Sequence, residues 1–417
     1  MRVTASMWKG LVMAVAVGLA GVATPAAAKP SGPAKAGDVN GDGRVDVIAG
    51  LHLLKARGKS EAGGVLVYFG GSKKVSGKEH IVMLPVPVAR ENLGRALTTG
   101  DFDKDGYADV LASAAKKLVV FRGSKNGLRG EDAKVIPWPA TTPAMASADF
   151  DGDGYADVAV TGNKQIVVLR GSTYGLRVAA RFTNGAPQFG AKLAIGDING
   201  DRRPDLVATE HRVSWPDAVG PQRITVVPGS PSGLSLQGAW SITPTERAAR
   251  DLAVGDVNGD QKADLVRITS TDGDDPTYRV LVQLSQGNGF DPAQSLPPED
   301  GYPSNLTLGD VTGDGRADLA VHFATDGDHD WAVLYAGTAT GVGAKPIWKY
   351  SHYTYESRYG TTLRLTNVRG DYRADIIAGL PGVYGHGELE ILPNGGLDGS
   401  QRLSVKALSG LGWSQPS

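Results

Sequence analysis

Two kinds of short apolar run alternate along the chain. The first kind reads DVIAG from Asp46, DVLAS from Asp109, DVAVTG from Asp157, DLVATE from Asp205, DLVRI from Asp264, DLAVHF from Asp318 and DIIAGL from Asp375. The second ends in a glycine turn: VLVYFGGS from Val65, LVVFRGS from Leu118, IVVLRGS from Ile166 and ITVVPGS from Ile224, then VLVQLSQG from Val280, WAVLYAG from Trp331 and LEILPNG from Leu389. Such brief β-branched runs, bounded by turn residues, predict strands. Many turns continue to a Gly-Leu pair such as Gly127-Leu128, Gly175-Leu176 or Gly233-Leu234, and a more variable strand follows. Outside the first 28 residues no stretch holds a 3.6-residue apolar period, so helices are not expected.

Each run of the first kind is preceded by an acidic turn. The copies begin at Gly37, Gly100, Ala148, Gly196, Gly255, Gly309 and Thr366, at intervals of 48 to 63 residues. In the second copy, GDFDKDGYAD, the carboxylates Asp101, Asp103, Asp105 and Asp109 hold positions 1, 3, 5 and 9, and Gly106 holds position 6, where the backbone must turn sharply. Carboxylates at alternate positions of a tight turn suit a hard cation, and Ca2+ takes six to eight oxygens, including the backbone carbonyl at position 7. The other candidate ligands are Asp38, Asn40, Asp42 and Asp46; Asp149, Asp151, Asp153 and Asp157; Asp197, Asn199, Asp201 and Asp205; Asp256, Asn258, Asp260 and Asp264; and Asp310, Thr312, Asp314 and Asp318. Copies 2 and 3, with four Asp each, are expected to bind most tightly. Copies 4 and 5 are expected to be weaker, because Arg202 and Gln261 replace the position-6 glycine. Copy 7 places Arg369 at position 3, so no calcium is expected there, and Arg369 is expected to pair with Asp371 or Asp375. Up to six Ca2+ follow. The apolar position-2 residues, Val39 to Val368, are read as pegs fixing each loop to its own blade.

Seven repeats of four strands, A–loop–B–C–turn–D, predict an all-β, seven-bladed β-propeller of four-stranded antiparallel blades, with calcium loops between strands A and B. An EF-hand is excluded because position 12 carries no Glu and strands, not helices, follow. The loop, the strand after it and the Gly-Ser/Gly-Leu turn together resemble the FG-GAP repeats of the integrin α-subunit N-terminal propeller and of secreted bacterial proteins built from them. Phe189-Gly190 supplies the name-giving pair, and Tyr359-Gly360 a looser one. The resemblance implies calcium in these loops and an adhesion or ligand-binding role.

Composition narrows the setting. Arg2 and Lys9, the apolar stretch Leu11 to Ala23 and Ala26-Ala27-Ala28 read as a secretory signal cleaved after Ala28, leaving residues 29–417 as one propeller. Secretion without membrane insertion is the expectation, and a monomer. The chain has 43 basic and 44 acidic residues; loss of Arg2 and Lys9 leaves a net charge of −3. Nucleic acid is not expected as a partner, since phosphate binding needs a basic surface. There is no cysteine, so bound metal is the expected substitute for disulfide constraint. Leu411-Gly412-Trp413 resembles Leu93-Gly94-Arg95 before strand A of blade 2, which suggests that the C-terminal tail closes the ring on blade 1.

Strand parity puts the A–B loops on one end of the ring and the B–C and D–A connections on the other. The B–C loops of blades 2 and 3 are minimal, whereas those of blades 4 to 7 are longer and richer in acidic and aromatic residues. Trp215, Trp348, Tyr350 and Tyr384 are the candidate ligand-binding residues, for stacking on a sugar ring. The expected partner is an extracellular glycan or protein. The alternative is a carbohydrate-active enzyme of polysaccharide-lyase type, although no catalytic motif identifies one and an enzyme is the less expected reading. Arg369-Gly370-Asp371 spells an adhesion tripeptide inside the degenerate loop, and Asn305-Leu306-Thr307 is a glycosylation sequon.

Overall fold

The computed structural model describes residues 14–15, 34–140, 143–186, 188–211, 223–244, 251–270, 277–325, 330–351, 362–380, 387–395 and 399–405. Among them, 28 strands form seven four-stranded sheets. Each sheet is an antiparallel meander of consecutive strands, as in blade 2: Leu97–Gly100, Asp109–Ala114, Lys117–Arg122 and Arg129–Pro137. Strand A of each blade from 2 to 7 packs against strand A of the next, so these strands surround the axis. The second and third strands are buried on both faces, as at Asp109–Ala114 and Ile224–Val227, which is why they read as unbroken apolar runs rather than alternating ones.

The apolar core is divided among the seams between blades. One cluster joins Ile48, Val65 and Val67 of blade 1 to Val110, Val119 and Phe121 of blade 2. Another joins Val47, Leu66 and Tyr68 of blade 1 to Ile377, Leu389 and Ile391 of blade 7, closing the circle. The position-2 residues pack on their own blade, as the sequence suggested, and on the neighbouring blade as well. Val39 enters the seam between blades 1 and 2, Phe102 that between 2 and 3, Phe150 that between 3 and 4, and Val368 that between 7 and 1. All four are fully buried. An apolar side chain at the tip of a turn gains most where two blade faces exclude water together.

In blade 1 the place of strand A is taken by Ala14–Val15, with Ala14 opposite Gly50 and Val15 opposite Ala49. This pair lies within the segment read as a signal. The tail residues 411–413, expected to close the ring, lie outside the described residues. Closure among the described residues rests on other contacts: Gly71 N donates to Val368 O at 3.2 Å, and Gln401 Nε2 donates to Val75 O at 2.8 Å.

Candidate metal centres and binding face

Every acidic turn is built by its own carboxylates before any ion is considered. In loop 2, Asp105 N and Gly106 N donate to Asp101, at 3.1 and 3.0 Å. Loops 1, 3, 4, 5 and 6 repeat this pattern from Asp38, Asp149, Asp197, Asp256 and Asp310. Position 6 has positive φ throughout, 89° at Gly106 and also 68° at Arg202 and 70° at Gln261, so the strain expected in copies 4 and 5 is present. Position 4 shares this conformation, a requirement the sequence reading missed. Lys104 adopts it at φ 59° where other copies use glycine.

The position-9 carboxylate is a hub as well as a candidate ligand. Asp109 accepts from Phe102 N at 3.2 Å and from Gly123 N at 3.0 Å. Asp46, Asp205, Asp264 and Asp318 each accept the position-2 N–H and an N–H from the turn after strand C in the same way. The glycine of that Gly-Ser turn has no room for a side chain: a Cβ on Gly123 would lie 2.4 Å from Ala108 O and 3.0 Å from Val39 O. The turn therefore ties the loop of one blade to the next. Ser124 N donates to Val39 O, Ser172 N to Phe102 O and Ser230 N to Phe150 O. A second row links successive loops directly, from the N–H at position 8 to the carbonyl at position 1: Ala108 to Asp38, Ala156 to Asp101, Ala263 to Asp197, Ala317 to Asp256 and Ala374 to Asp310.

Burial of these carboxylates is electrostatically costly. Burial first, and neighbouring loop carboxylates after it, push Asp109 up to about 8, Asp46, Asp157 and Asp264 to about 7, and Asp205 to about 6. Burial also raises Asp38, Asp105, Asp197 and Asp318. In each of loops 2 and 3, oxygens of the acids at positions 1, 3 and 5 lie within 4.8 Å of one another. The buried oxygens Asp103 Oδ1 and Thr312 Oγ1, both at position 3, have no hydrogen-bond partner. Converging, partly orphaned oxygens beside buried position-9 acids that are disfavoured as anions fit a hard divalent cation. The donor set is oxygen alone, which suits calcium better than zinc.

Two arginines that the sequence reading did not single out belong to this site. Arg122 Nη2 pairs with Asp103 Oδ2 at 2.8 Å, and Arg170 pairs with Asp151. Both precede the Gly-Ser turn of strand C, and they occur in the two copies with Asp at position 3. That coincidence was the available signal. The guanidinium offsets the extra carboxylate, so counting acids overstates the charge difference between these loops and the rest.

Loop 7 places a guanidinium where the other loops place a candidate ligand. Arg369 Nε donates to Asp375 Oδ1 at 2.9 Å, and its Nη2 lies 3.0 Å from Asp371 Oδ2 and 2.8 Å from Asn394 Oδ1. Arg369 thus engages both acids named as its possible partners. The guanidinium works against the rise that burial imposes on Asp375. It also turns Arg369 inward, away from presentation as part of an adhesion tripeptide. The sequon is likewise absorbed, since Asn305 Nδ2 donates to Asp251 Oδ2 and its Oδ1 accepts Leu363 N, bridging three inner strands.

Of the aromatic candidates, Trp215 and Tyr384 lie outside the described residues, as do most of the long B–C loops of blades 4 to 7. Trp348 and Tyr350 belong to strand D of blade 6, Gly341–Ser351, rather than to a loop. Their rings stack on each other at 5.5 Å and 20°, half-buried against the seam with blade 7.

Among the described residues, no helix is long and apolar enough to cross a membrane. The family model for FG-GAP-like repeats matches residues 101–160, 149–208 and 256–321. The chain is 30% identical over 104 residues to integrin alpha-6 of Gallus gallus, covering 24% of this chain and 10% of that protein's length. A solved structure of an Agrocybe aegerita lectin that recognises non-reducing terminal N-acetylglucosamine shares the fold, with a TM-score of 0.56, 16% identity, and coverage of 87% of this chain and 90% of the lectin. So does BBS1N from its complex with ARL6DN, at a TM-score of 0.51 and 12% identity, over 82% and 87% of the two chains. Seven repeated acidic turns, seven four-stranded sheets and three matches to one repeat family lead to one assignment: the chain is a seven-bladed β-propeller that carries FG-GAP-like repeats over residues 101–208 and 256–321.

Proposed function

We propose that this protein is a secreted, calcium-stabilised binding module that holds up to six Ca2+ in loops 1 to 6 and takes an extracellular glycan or protein ligand at the opposite end of the ring. The observation that carries the metal reading is Asp109, a buried carboxylate pushed up to about 8 beside the orphaned Asp103 Oδ1. Bound calcium would supply the positive charge that lets these acids ionise together. Residues at positions 1, 3 and 5 would hold it, with position 9 supporting the loop through its backbone bonds. Loop 7 would stay without calcium, because Arg369 occupies the ligand position.

The binding reading is supported by the division of labour between the two ends. The acidic end is committed to holding blades together, and variable loops on a rigid scaffold are where ligands usually bind. That a lectin shares this architecture makes terminal N-acetylglucosamine a natural first probe. Trp348 is the accessible test among the aromatic candidates. Because its ring is half-buried and stacked, Trp348→Ala should cost about 2 kcal/mol in denaturant unfolding, below the range for a fully buried Trp. A glycan array in calcium, read with the parent protein and this variant, tests the ligand class. Binding that survives Trp348→Ala excludes the ring from the ligand site, and no glycan binding by the parent protein removes the carbohydrate reading.

A further inference from the structure

Four residues beyond the position-9 acid, the second strand of several blades carries a polar side chain that bonds at strand A or just before it. In blades 2, 3 and 4 this is a hydroxyl with a structural task. Ser113 Oγ accepts Ala96 N at 2.9 Å, Thr161 Oγ1 accepts Ala144 N at 2.8 Å and Thr209 Oγ1 accepts Lys192 N at 3.0 Å. Blade 6 places His322 there, fully buried. Its Nδ1 lies 2.5 Å from Ser304 Oγ, and its Nε2 lies 3.3 Å from Asp330 Oδ2. Ser304 sits on strand A where the register shifts between Pro303 and Asn305. Such bulges re-aim side chains. Ser304 is exposed, while Asp330 is buried and accepts Thr325 N at 3.1 Å through its other oxygen.

The three groups form a row from strand A through strand B to Asp330, the residue just before strand C, ordered from solvent to interior. We propose that Ser304 is a nucleophile activated by His322, with Asp330 as the positioning residue, in a site that accepts small carboxylic esters at the end of the ring opposite the acidic loops. The two ring nitrogens take definite roles. A carboxylate near Nε2 favours the proton on that nitrogen, which leaves Nδ1 as the acceptor facing the serine. This is the reverse of the usual assignment of nitrogens in a Ser-His-Asp triad, with the same logic of nucleophile, base and orienting acid. Asp330 lies off the Nε2–H direction, since Nε2 has no aligned hydrogen-bond partner. Catalytic hydrogen bonds are commonly loose before substrate binds.

The chemistry balances without a further reagent. Ser304 Oγ bonds to the ester carbonyl carbon as its proton passes to His322 Nδ1. The C–O bond to the alcohol breaks, and the departing oxygen takes that proton. Water then attacks the acyl-serine and gives a proton to Nδ1. The carboxylic acid leaves as the proton returns to Ser304 Oγ. The inference does not depend on calcium or on a glycan ligand.

The test is covalent labelling of the full chain with a fluorophosphonate, in which the Oγ–P bond forms, the P–F bond breaks and the hydroxyl proton leaves through His322. Peptide mass spectrometry should locate the adduct on Ser304, and p-nitrophenyl acetate should be turned over. Ser304→Ala should abolish both. His322→Thr installs the residue that blades 3 and 4 carry at this position, so it should fold with an unchanged melting temperature while labelling slows about 100-fold or more. Asp330→Asn should slow labelling and displace its pH profile, which a merely structural acid would not do. Labelling equal to that of heat-denatured protein, an adduct elsewhere, or a folded His322→Thr that labels at the parent rate overturns the proposal.

Discussion

Loops 2 and 7 share a backbone and differ in how they manage charge. Both tie early backbone N–H groups to position 1: Asp101 accepts from Asp105 N and Gly106 N, while Asn367 accepts from Gly370 N and Asp371 N. Both tie position 2 to position 9, at 3.2 Å in each case. Both pass through positive φ at position 6, where loop 7 uses Tyr372 at 67°. In both loops, side-chain acceptors at position 1 brace the chain reversal. What differs is position 3. Asp103 leaves a buried oxygen unpartnered, whereas Arg369 fills that place with its own positive charge. Two demands on the loop thus come apart, chain reversal and charge neutralisation: Arg369 meets the second from within loop 7, whereas in loop 2 Arg122 reaches Asp103 from strand C and covers one of its two oxygens.

The largest effect should come from removing the cation. At calcium a hundredfold above its dissociation constant, each filled loop stabilises the fold by about 2.7 kcal/mol. Chelation should therefore lower the melting temperature markedly, with loops 1 to 6 contributing. A melting curve indifferent to chelator would end the calcium account.

Next in size is loop 7. Arg369→Ala strips the buried Asp375 of its countercharge and should cost roughly 3 kcal/mol, the lower end for breaking one side of a buried pair. Arg369→Asp gives loop 7 the position-3 acid of copies 2 and 3, with Asn367 still at position 1, so its loss should be reversed by calcium, with one more ion bound per chain in equilibrium dialysis. If Arg369→Asp gains no calcium, position 3 is not the deciding residue.

The pH dependence of the chelated protein reads the same carboxylates without the ion. Its position-9 acids titrate from about 6 at Asp205 to about 8 at Asp109, above the unfolded value of 3.8. Between those limits the folded chain holds protons that the unfolded chain has released, so stability should fall as pH rises from about 4 to about 8. With calcium the trend should reverse, because acid then displaces the ion. Denaturant midpoints at pH 5 and pH 8, with and without chelator, read both slopes. Equal slopes would mean that the loops hold no cation in either condition.

The repeat made most of this fold legible. Seven copies of one acidic turn fixed the blade count, and the runs beginning at Asp109 and Leu118 became strands B and C. Loop-internal facts were also readable, because positions within ten residues constrain one another: Arg369 finds Asp371 and Asp375 without leaving its turn. What escaped lies between blades. Phe102 looks the same in sequence whether it packs on its own blade or on the next, and the need for glycine at position 123 comes from the carbonyls of Val39 and Ala108. The row formed by Ser304, His322 and Asp330 crosses two strands, a connecting segment and a shift of register, so no spacing in the sequence announces it. Trp348 and Tyr350, placed by sequence in a connecting segment, lie on an edge strand because strand D of blade 6 runs on to Ser351.

The position-8 to position-1 bonds carry one further consequence. They string the acidic loops together like links of a bracelet, and copy 4 has Pro204 at position 8, which has no N–H to give. Asp149 O therefore lacks the partner that Asp101 O and Asp197 O possess, and only the bond from Ser230 to Phe150 crosses there. A ring under tension parts at its least-fastened join. The two joins without this link, between blades 3 and 4 and between blades 7 and 1, where Val45 N gives no such bond to Asn367 O, are thus the natural clasps of this molecule and the places where hydrogen exchange should first register its opening.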